Sequence, residues 1–271
     1  MWAADDQDRT SAAAARLRIP AAIGDTAAVL DLGVDLVTIA TPAPTHAALL
    51  NTFRDLAVVC EKPILGMTGD PGLLPSAGSV VWVNYAFAFL DVAQQMADHV
   101  QRLGPVRAAS IRTAYDLPLE FSGAEWLLEV ASHPLSFVVH LLGRPRLVTG
   151  QQEGLATTLT LDFGIPVDVI SVCQPGLDGI THSLWFDTDR GRLSLTGQYR
   201  HGQPWRYGPI RLDGVALGNV EAPPQGCWER ANVRSFGAAL ESIQGGGTDA
   251  RLFTVARARL IDQPVRDAFA P

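Results

Sequence analysis

Two short stretches of the chain end apolar runs on side chains that can handle protons and hydroxyl groups. The first is Val34-Asp35-Leu36-Val37-Thr38-Ile39-Ala40-Thr41-Pro42, with His46 four residues on; the second is Val58-Val59-Cys60-Glu61-Lys62-Pro63. Nearly continuous apolar runs of this length read as parallel strands covered on both faces. Their C-terminal ends then deliver Thr41, Pro42 and His46 from one strand, and Glu61 and Lys62 from the next, into one crevice. A lysine in such a crevice can donate a proton or hold a substrate hydroxyl, and burial lowers its pKa from about 10.4 toward neutrality. An isolated Glu-Lys-Pro is more often a solvated strand end; the preceding Thr-Pro-x-x-x-His turns the balance toward function.

The elements that must position these groups alternate through the first 83 residues. A strand end at Trp2–Ala4, helices at Arg9–Leu17 and Thr26–Leu32, a strand at Val34–Ala40, a helix at Thr45–Arg54 and strands at Leu56–Cys60 and Val80–Val83 describe αβ winding around a parallel sheet. Ligands of such sheets sit at the strand C-termini. After Asn84 the pattern changes. A helix over Asp91–Leu103 stops at Gly104-Pro105, and β-branched runs follow at Val106–Thr113, Ala156–Phe163, Val167–Cys173, His182–Asp187 and Arg192–Thr196, which suggest an antiparallel sheet. A last helix is expected over Asp249–Asp262. The expected fold class is therefore α/β followed by α+β, with domains over 1–83 and 84–271.

Composition removes several classes of function. In 271 residues, 21 Lys+Arg against 28 Asp+Glu leave a formal net charge of −7, a field that repels phosphate backbones and anionic membranes. No nucleic-acid partner and no membrane span are expected. Cys60, Cys173 and Cys227 are odd in number and have no metal-ligand spacing, so neither a disulfide framework nor a metal site is expected, and a reducing cytoplasm fits best.

The order Asp35, Ala40-Thr41-Pro42-x-x-x-His46, Cys60-Glu61-Lys62-Pro63 resembles the Gfo/Idh/MocA family of oxidoreductases, which includes glucose-fructose oxidoreductase and inositol dehydrogenase. The resemblance covers most of the chain. It implies a Rossmann domain for NAD or NADP, a second domain with an open, mainly antiparallel sheet that receives a sugar, cyclitol or related polyol, and a homo-oligomer, dimer or tetramer. It implies that Lys62 positions substrate and cofactor, in a Lys-Pro peptide that is often cis. Family members carry Asp-x-x-x-His where this chain has Glu129-Val130-Ala131-Ser132-His133, so His133 resembles the general acid/base, with Glu129 as its neighbour. Because Pro134 is tolerated only in a first helical turn, a helix is expected to begin near Ser132. Ala88 stands where many relatives have an arginine, which implies a less anionic substrate than a sugar acid.

The cofactor side departs from the family. No G-x-G-x-x-G occurs in the chain, and the ribose-binding acid that normally follows such a turn by roughly 20 residues matches Asp6, or Asp5 with a one-residue shift. The first strand, glycine turn and helix are thus expected to be missing, an N-terminally truncated Rossmann domain in which the flanking strands lack a shared neighbour. The rival expectations are a non-catalytic binding or oligomer module and a non-redox lyase or isomerase. Trp126 and Tyr115 are weighed between a stacking site and core packing, with packing favoured; His182 and the Trp205-Arg206-Tyr207 cluster have no assigned role.

Overall fold

The computed structural model describes residues 2–3, 7–20, 22–23, 25–75, 80–116, 123–217 and 226–269. Strands β1 (Trp2–Ala3) and β2 (Ala22–Ile23) pair in parallel, with helix α1 (Gln7–Leu17) between them. A second parallel set follows: β3 (Leu36–Ile39), β4 (Ala57–Cys60) and β5 (Val81–Val83), with helix α2 (His46–Thr52) between β3 and β4. Among the described residues β1–β2 and β3–β4–β5 share no hydrogen-bonded edge. The helix expected over Thr26–Leu32 is a 3-10 turn, Ala27–Leu32. Leu30 and Leu32 are left exposed, so little apolar burial supports a longer helix there.

Helix α3 (Asp91–Leu103) leads into the larger sheet. Its strands are β6 (Val106–Asp116), β7 (Arg146–Glu153), β8 (Ala156–Asp162), β9 (Pro166–Cys173), β10 (Gly179–Thr188), β11 (Gly191–Arg200), β12 (Arg206–Tyr207), β13 (Arg211–Leu212) and β14 (Val215–Ala216). The order is β14-β13-β11-β10-β6-β9-β8-β7, with β12 on β11; only β6 and β9 run parallel. The antiparallel sheet suggested by the strand spacing is present, and it is open, as the resemblance implies.

One face of this sheet is covered by a helical run: α4 (Gly123–Trp126), a π-helical turn (Leu127–Ala131) and α5 (Ser132–Leu142). Ile111, Leu159, Val169, Leu184 and Phe186 point to that face and are buried against Phe137 and Val138 of α5. The Phe137 and Phe186 rings meet edge to face at 6.3 Å. The next row across the same face is polar. Thr157, Ser171, Thr113 and His182 stand in register, with Gly197 after them, and all four side chains are buried. Gly197 is obligatory by close approach, because a Cβ there would lie 2.3 Å from the Tyr207 ring.

The chain returns to the β3–β4–β5 sheet at its end. Helix α6 (Cys227–Ile243), which the periodicity had not revealed, packs beside β4; β15 (Phe253–Thr254) then pairs antiparallel with β5, and α7 (Val255–Phe269) lies against α5. The helix expected over Asp249–Asp262 therefore starts later and runs further. Pro264 sits inside it, leaving the Leu260 carbonyl without a helical donor but not ending the helix.

Candidate active site

The Lys62 segment is fixed by backbone pairing before any side chain acts. Glu61 N donates to Ile39 O at 2.8 Å and Asn84 N to Cys60 O at 2.8 Å, which carries the ladder one residue beyond β4. The Lys62–Pro63 peptide is cis. His46, 1% exposed, sets one ring nitrogen 2.9 Å from Pro63 O and the other 2.7 Å from Thr41 O. Its ring thus ties the Thr41-Pro42 turn to the Lys62-Pro63 turn and is consumed by backbone groups. Thr41 and Pro42 themselves are exposed, with Thr41 Oγ1 2.6 Å from Thr45 Oγ1.

The far side of the same loop is held by α7. Asp262, fully buried, accepts from Leu65 N at 3.0 Å and from the Tyr85 hydroxyl at 3.2 Å, and Arg266 donates to Gly66 O at 2.9 Å. Gly66 adopts φ +57°, a conformation side chains disfavour. Burial raises the Asp262 pKa to about 6, against the opposing effects of its hydrogen bonds and of Lys62.

Lys62 Nζ then reaches the helical run on the second sheet. It lies 2.7 Å from Glu129 O and 2.7 Å from Glu129 Oε2, with the Lys62 side chain 11% and the Glu129 side chain 32% exposed. The local reason is Pro134. It has no N–H, so it can close neither an α bond to Val130 O nor a π bond to Glu129 O. The run passes through the π turn, where Ser132 N donates to Leu127 O, and resumes as α-helix at Ser132, where the sequence predicts it. The Glu129 carbonyl left over is the one the ammonium takes.

His133, one turn on, lies close enough to Lys62 to feel its charge. Its pKa is pushed well below the usual histidine value, first by burial and then by Lys62 and His182. The ring is therefore neutral at physiological pH. Its Nδ1 is closed off from solvent without a partner, and the ring stands edge-on to Trp228 at 4.9 Å.

Glu61 is turned toward the protein. Asn84 Nδ2 donates to its Oε1 at 2.7 Å and to Asn232 Oδ1 of α6 at 2.8 Å. A cavity of about 280 Å³ opens where the two turns meet the helical run, lined by Pro42, Pro63, Met67, Trp126 and Glu129 among others. His46 thus ties Thr41-Pro42 to Lys62-Pro63, and Lys62 reaches Glu129 with His133 within its electrostatic range. Asp5 and Asp6 lie outside the described residues. Among the described residues no cluster of three metal-ligating side chains occurs, and no helix is long and apolar enough to cross a membrane.

Tyr115 and Trp126 stack on each other at 4.4 Å and are buried with Val130 and Cys173, so they pack. Cys60, Cys173 and Cys227 are free and buried. Sequence reasoning missed the role of Trp228, which lies beside His133. Its signal was only an aromatic residue at the start of a helix.

No protein-family model matches the chain, and no curated protein matches it in sequence. Solved structures do. A myo-inositol 2-dehydrogenase from Lactobacillus plantarum superposes with a TM-score of 0.73 at 13% identity, covering 98% of this chain and 86% of that one. A 3-ketoreductase from Actinomadura kijaniata, in complex with TDP-benzene and NADP, gives 0.71 at 18% identity over the same shares. An oxidoreductase from Agrobacterium radiobacter, in complex with NAD+, L-tartaric acid and magnesium, gives 0.69 at 16% identity, again over 98% and 86%. The likeness is one of fold. It extends through both sheets, the Rossmann-like parallel one and the mainly antiparallel one.

Proposed function

We propose that the chain is an NAD(P)-dependent oxidoreductase that transfers hydride between nicotinamide and the hydroxyl or keto carbon of a sugar, cyclitol or related polyol. One observation carries the reading: at the C-terminal end of a parallel strand Lys62 is bonded to Glu129 and lies within electrostatic reach of His133, beside a cavity lined by Pro42, Pro63 and Glu129. The oxidoreductase neighbours, with their NAD+ and NADP complexes, support it.

The residues fit the nicotinamide end of such a cofactor: Pro42 of a strand-tip turn and Glu129 line the cavity, the Lys62 ammonium is bonded to Glu129, and the neutral His133 imidazole stands one helical turn on. The pyrophosphate end is served by no glycine-rich turn in the sequence. When bound, the cofactor would supply the hydride acceptor or donor, and everything else falls to the protein. Lys62, positively charged and held by Glu129, orients the reacting hydroxyl by donating to its oxygen. The His133 imidazole, kept neutral, accepts the hydroxyl proton as the carbonyl forms and returns it in the reverse direction. The cis-Pro63 turn, clamped by His46 and Asp262, holds the ammonium in place.

A second reading has one observation in its favour: among the described residues β3 is paired on one edge only, and a cavity of about 330 Å³ is lined by Val29, Leu36, Val37, Leu49 and Phe53. On that reading the chain is a cofactor-deficient binding module or a non-redox lyase. Calorimetric titration with NADH and NADPH separates the two. Saturable binding with dehydrogenation of a polyol supports the oxidoreductase; no binding of either nucleotide overturns it.

A further inference from the structure

Lys62 has one carboxylate beside it in the chain and another across the junction, and it pairs with the distant one. Its Nζ lies 2.7 Å from Glu129 Oε2, while Glu61 Oε1 accepts from Asn84 Nδ2 at 2.7 Å. Adjacent residues of opposite charge do pair in this chain, as Arg54 and Asp55 show at 3.7 Å. Glu61 is not saturated either: its Oε2 has only the Lys62 N–H, a weak contact at 3.4 Å. A half-buried carboxylate in that condition attracts the nearest ammonium, the more so because the Lys62 side chain is 11% exposed.

What keeps Glu61 away follows from the ladder. Val83 of β5 is in register with Cys60 of β4, so Asn84 and Glu61 come next on adjacent parallel strands and leave the sheet on the same side. Asn84, 3% exposed, uses both N–H donors of its Nδ2, one on Glu61 Oε1 and the other on Asn232 Oδ1 of α6 at 2.8 Å. Asn232 Nδ2 donates in turn to Trp228 O at 3.1 Å. The direction of this chain of bonds is fixed at both ends, because a carboxylate and a backbone carbonyl only accept. That orientation has a cost. Asn84 Oδ1 is closed off from solvent with no partner, and native proteins seldom leave a buried acceptor unmatched without a use.

We propose that Asn84 is a positioning residue for Lys62: by anchoring the Glu61 carboxylate to α6, it leaves the ammonium to Glu129 and to the substrate hydroxyl. Released from Asn84, Glu61 closes on the ammonium and occupies the donor that the reacting oxygen needs. The effect on catalysis rests on the oxidoreductase reading; the pairing of charges does not.

A double-mutant cycle on Asn84 and Glu61, read as kcat/KM for NAD(P)-dependent oxidation of a polyol, tests this together with a crystal structure of the Asn84 variant. Asn84→Leu roughly keeps the side-chain volume and removes both donors. It is expected to lower kcat/KM about tenfold in the wild-type background and less than about threefold in the Glu61→Gln background, where no carboxylate competes. A residue with a structural role alone costs the same in both. In the crystal structure of Asn84→Leu a Glu61 oxygen is expected within hydrogen-bonding distance of Lys62 Nζ. If melting shows that Asn84→Leu does not fold, Asn84→Ala replaces it in both measurements. Equal losses in the two backgrounds, no loss in either, or Glu61 still turned away from Lys62 in the variant overturns the proposal. If wild type turns over with neither NAD+ nor NADP+, the oxidoreductase reading falls, and the crystal structure alone decides the pairing.

Discussion

Lys62 and Glu129, 67 positions apart, are joined twice: the ammonium sits 2.7 Å from both the carbonyl and the carboxylate oxygen of the same residue. The pair links the tip of a parallel strand to the helical run on the antiparallel sheet, so the geometry of the site is also the geometry of the junction between the two sheets.

Breaking the side-chain half of that link is expected to be costly. In Glu129→Gln the ammonium keeps the carbonyl but loses a charged partner at a site where Lys62 is only 11% exposed. Loss of one charge-assisted hydrogen bond amounts to about 1.5–3 kcal/mol, or roughly tenfold to a hundredfold in kcat/KM. Glu129→Asp, with a carboxylate about 1.5 Å shorter in reach, should fall between. Steady-state kinetics on a common polyol ranks the three.

Pro134→Ala tests the origin of the free carbonyl. The restored N–H can donate to Val130 O, an α bond, so the π turn should relax toward α-helix, in which His133 N takes the Glu129 carbonyl that Lys62 holds. A melting temperature equal to or above wild type, together with a kcat lowered about tenfold, is the expected pair of results. Loss of stability in step with activity would contradict the assignment.

Asp262 makes stability depend on pH with a definite sign. Its folded pKa, about 6, lies above the ordinary aspartate value of about 3.9, so its contribution is fully present below about pH 4 and is lost as the pH rises through 6. The difference, about 2 pKa units, corresponds to about 3 kcal/mol. In Asp262→Asn the amide can accept from Leu65 N and donate to the Tyr85 oxygen, so folding survives while this slope disappears. Urea denaturation of both proteins between pH 4 and 8 measures it.

His133 predicts the acid limb of the reaction. With its pKa pushed well below the usual value by burial, Lys62 and His182, the imidazole stays neutral throughout the physiological range. The decline of kcat/KM caused by its protonation should therefore appear well below pH 6.5, and a profile that bends near 6.5 would contradict the environment described.

Much of this was legible in the residues. The apolar run ending at Cys60 and the polar tip Glu61-Lys62 follow from strand physics alone, and the helix start at Ser132 follows from the rules for Pro134. The π turn was hidden, because the carbonyl it frees is satisfied by a lysine 67 residues away. His46 looked like a ligand-facing residue, yet its ring spans two backbone carbonyls that only the folded loops bring together. Trp205 and Trp228 meet only through packing of a loop on α6, for which no local spacing is a signal. The last helix runs past Pro264 because packing against α5 outweighs the one lost hydrogen bond, a tertiary effect that local sequence does not carry.

The most direct test of the central claim is the reduction of NAD+ and NADP+, followed at 340 nm over a panel of neutral cyclic polyols, by wild type and by Lys62→Ala. The account predicts turnover in wild type with at least one pair of cofactor and polyol, and a loss of about 10²-fold or more in the variant. Equal rates in the two proteins, or no reduction by wild type with any pair, would contradict it.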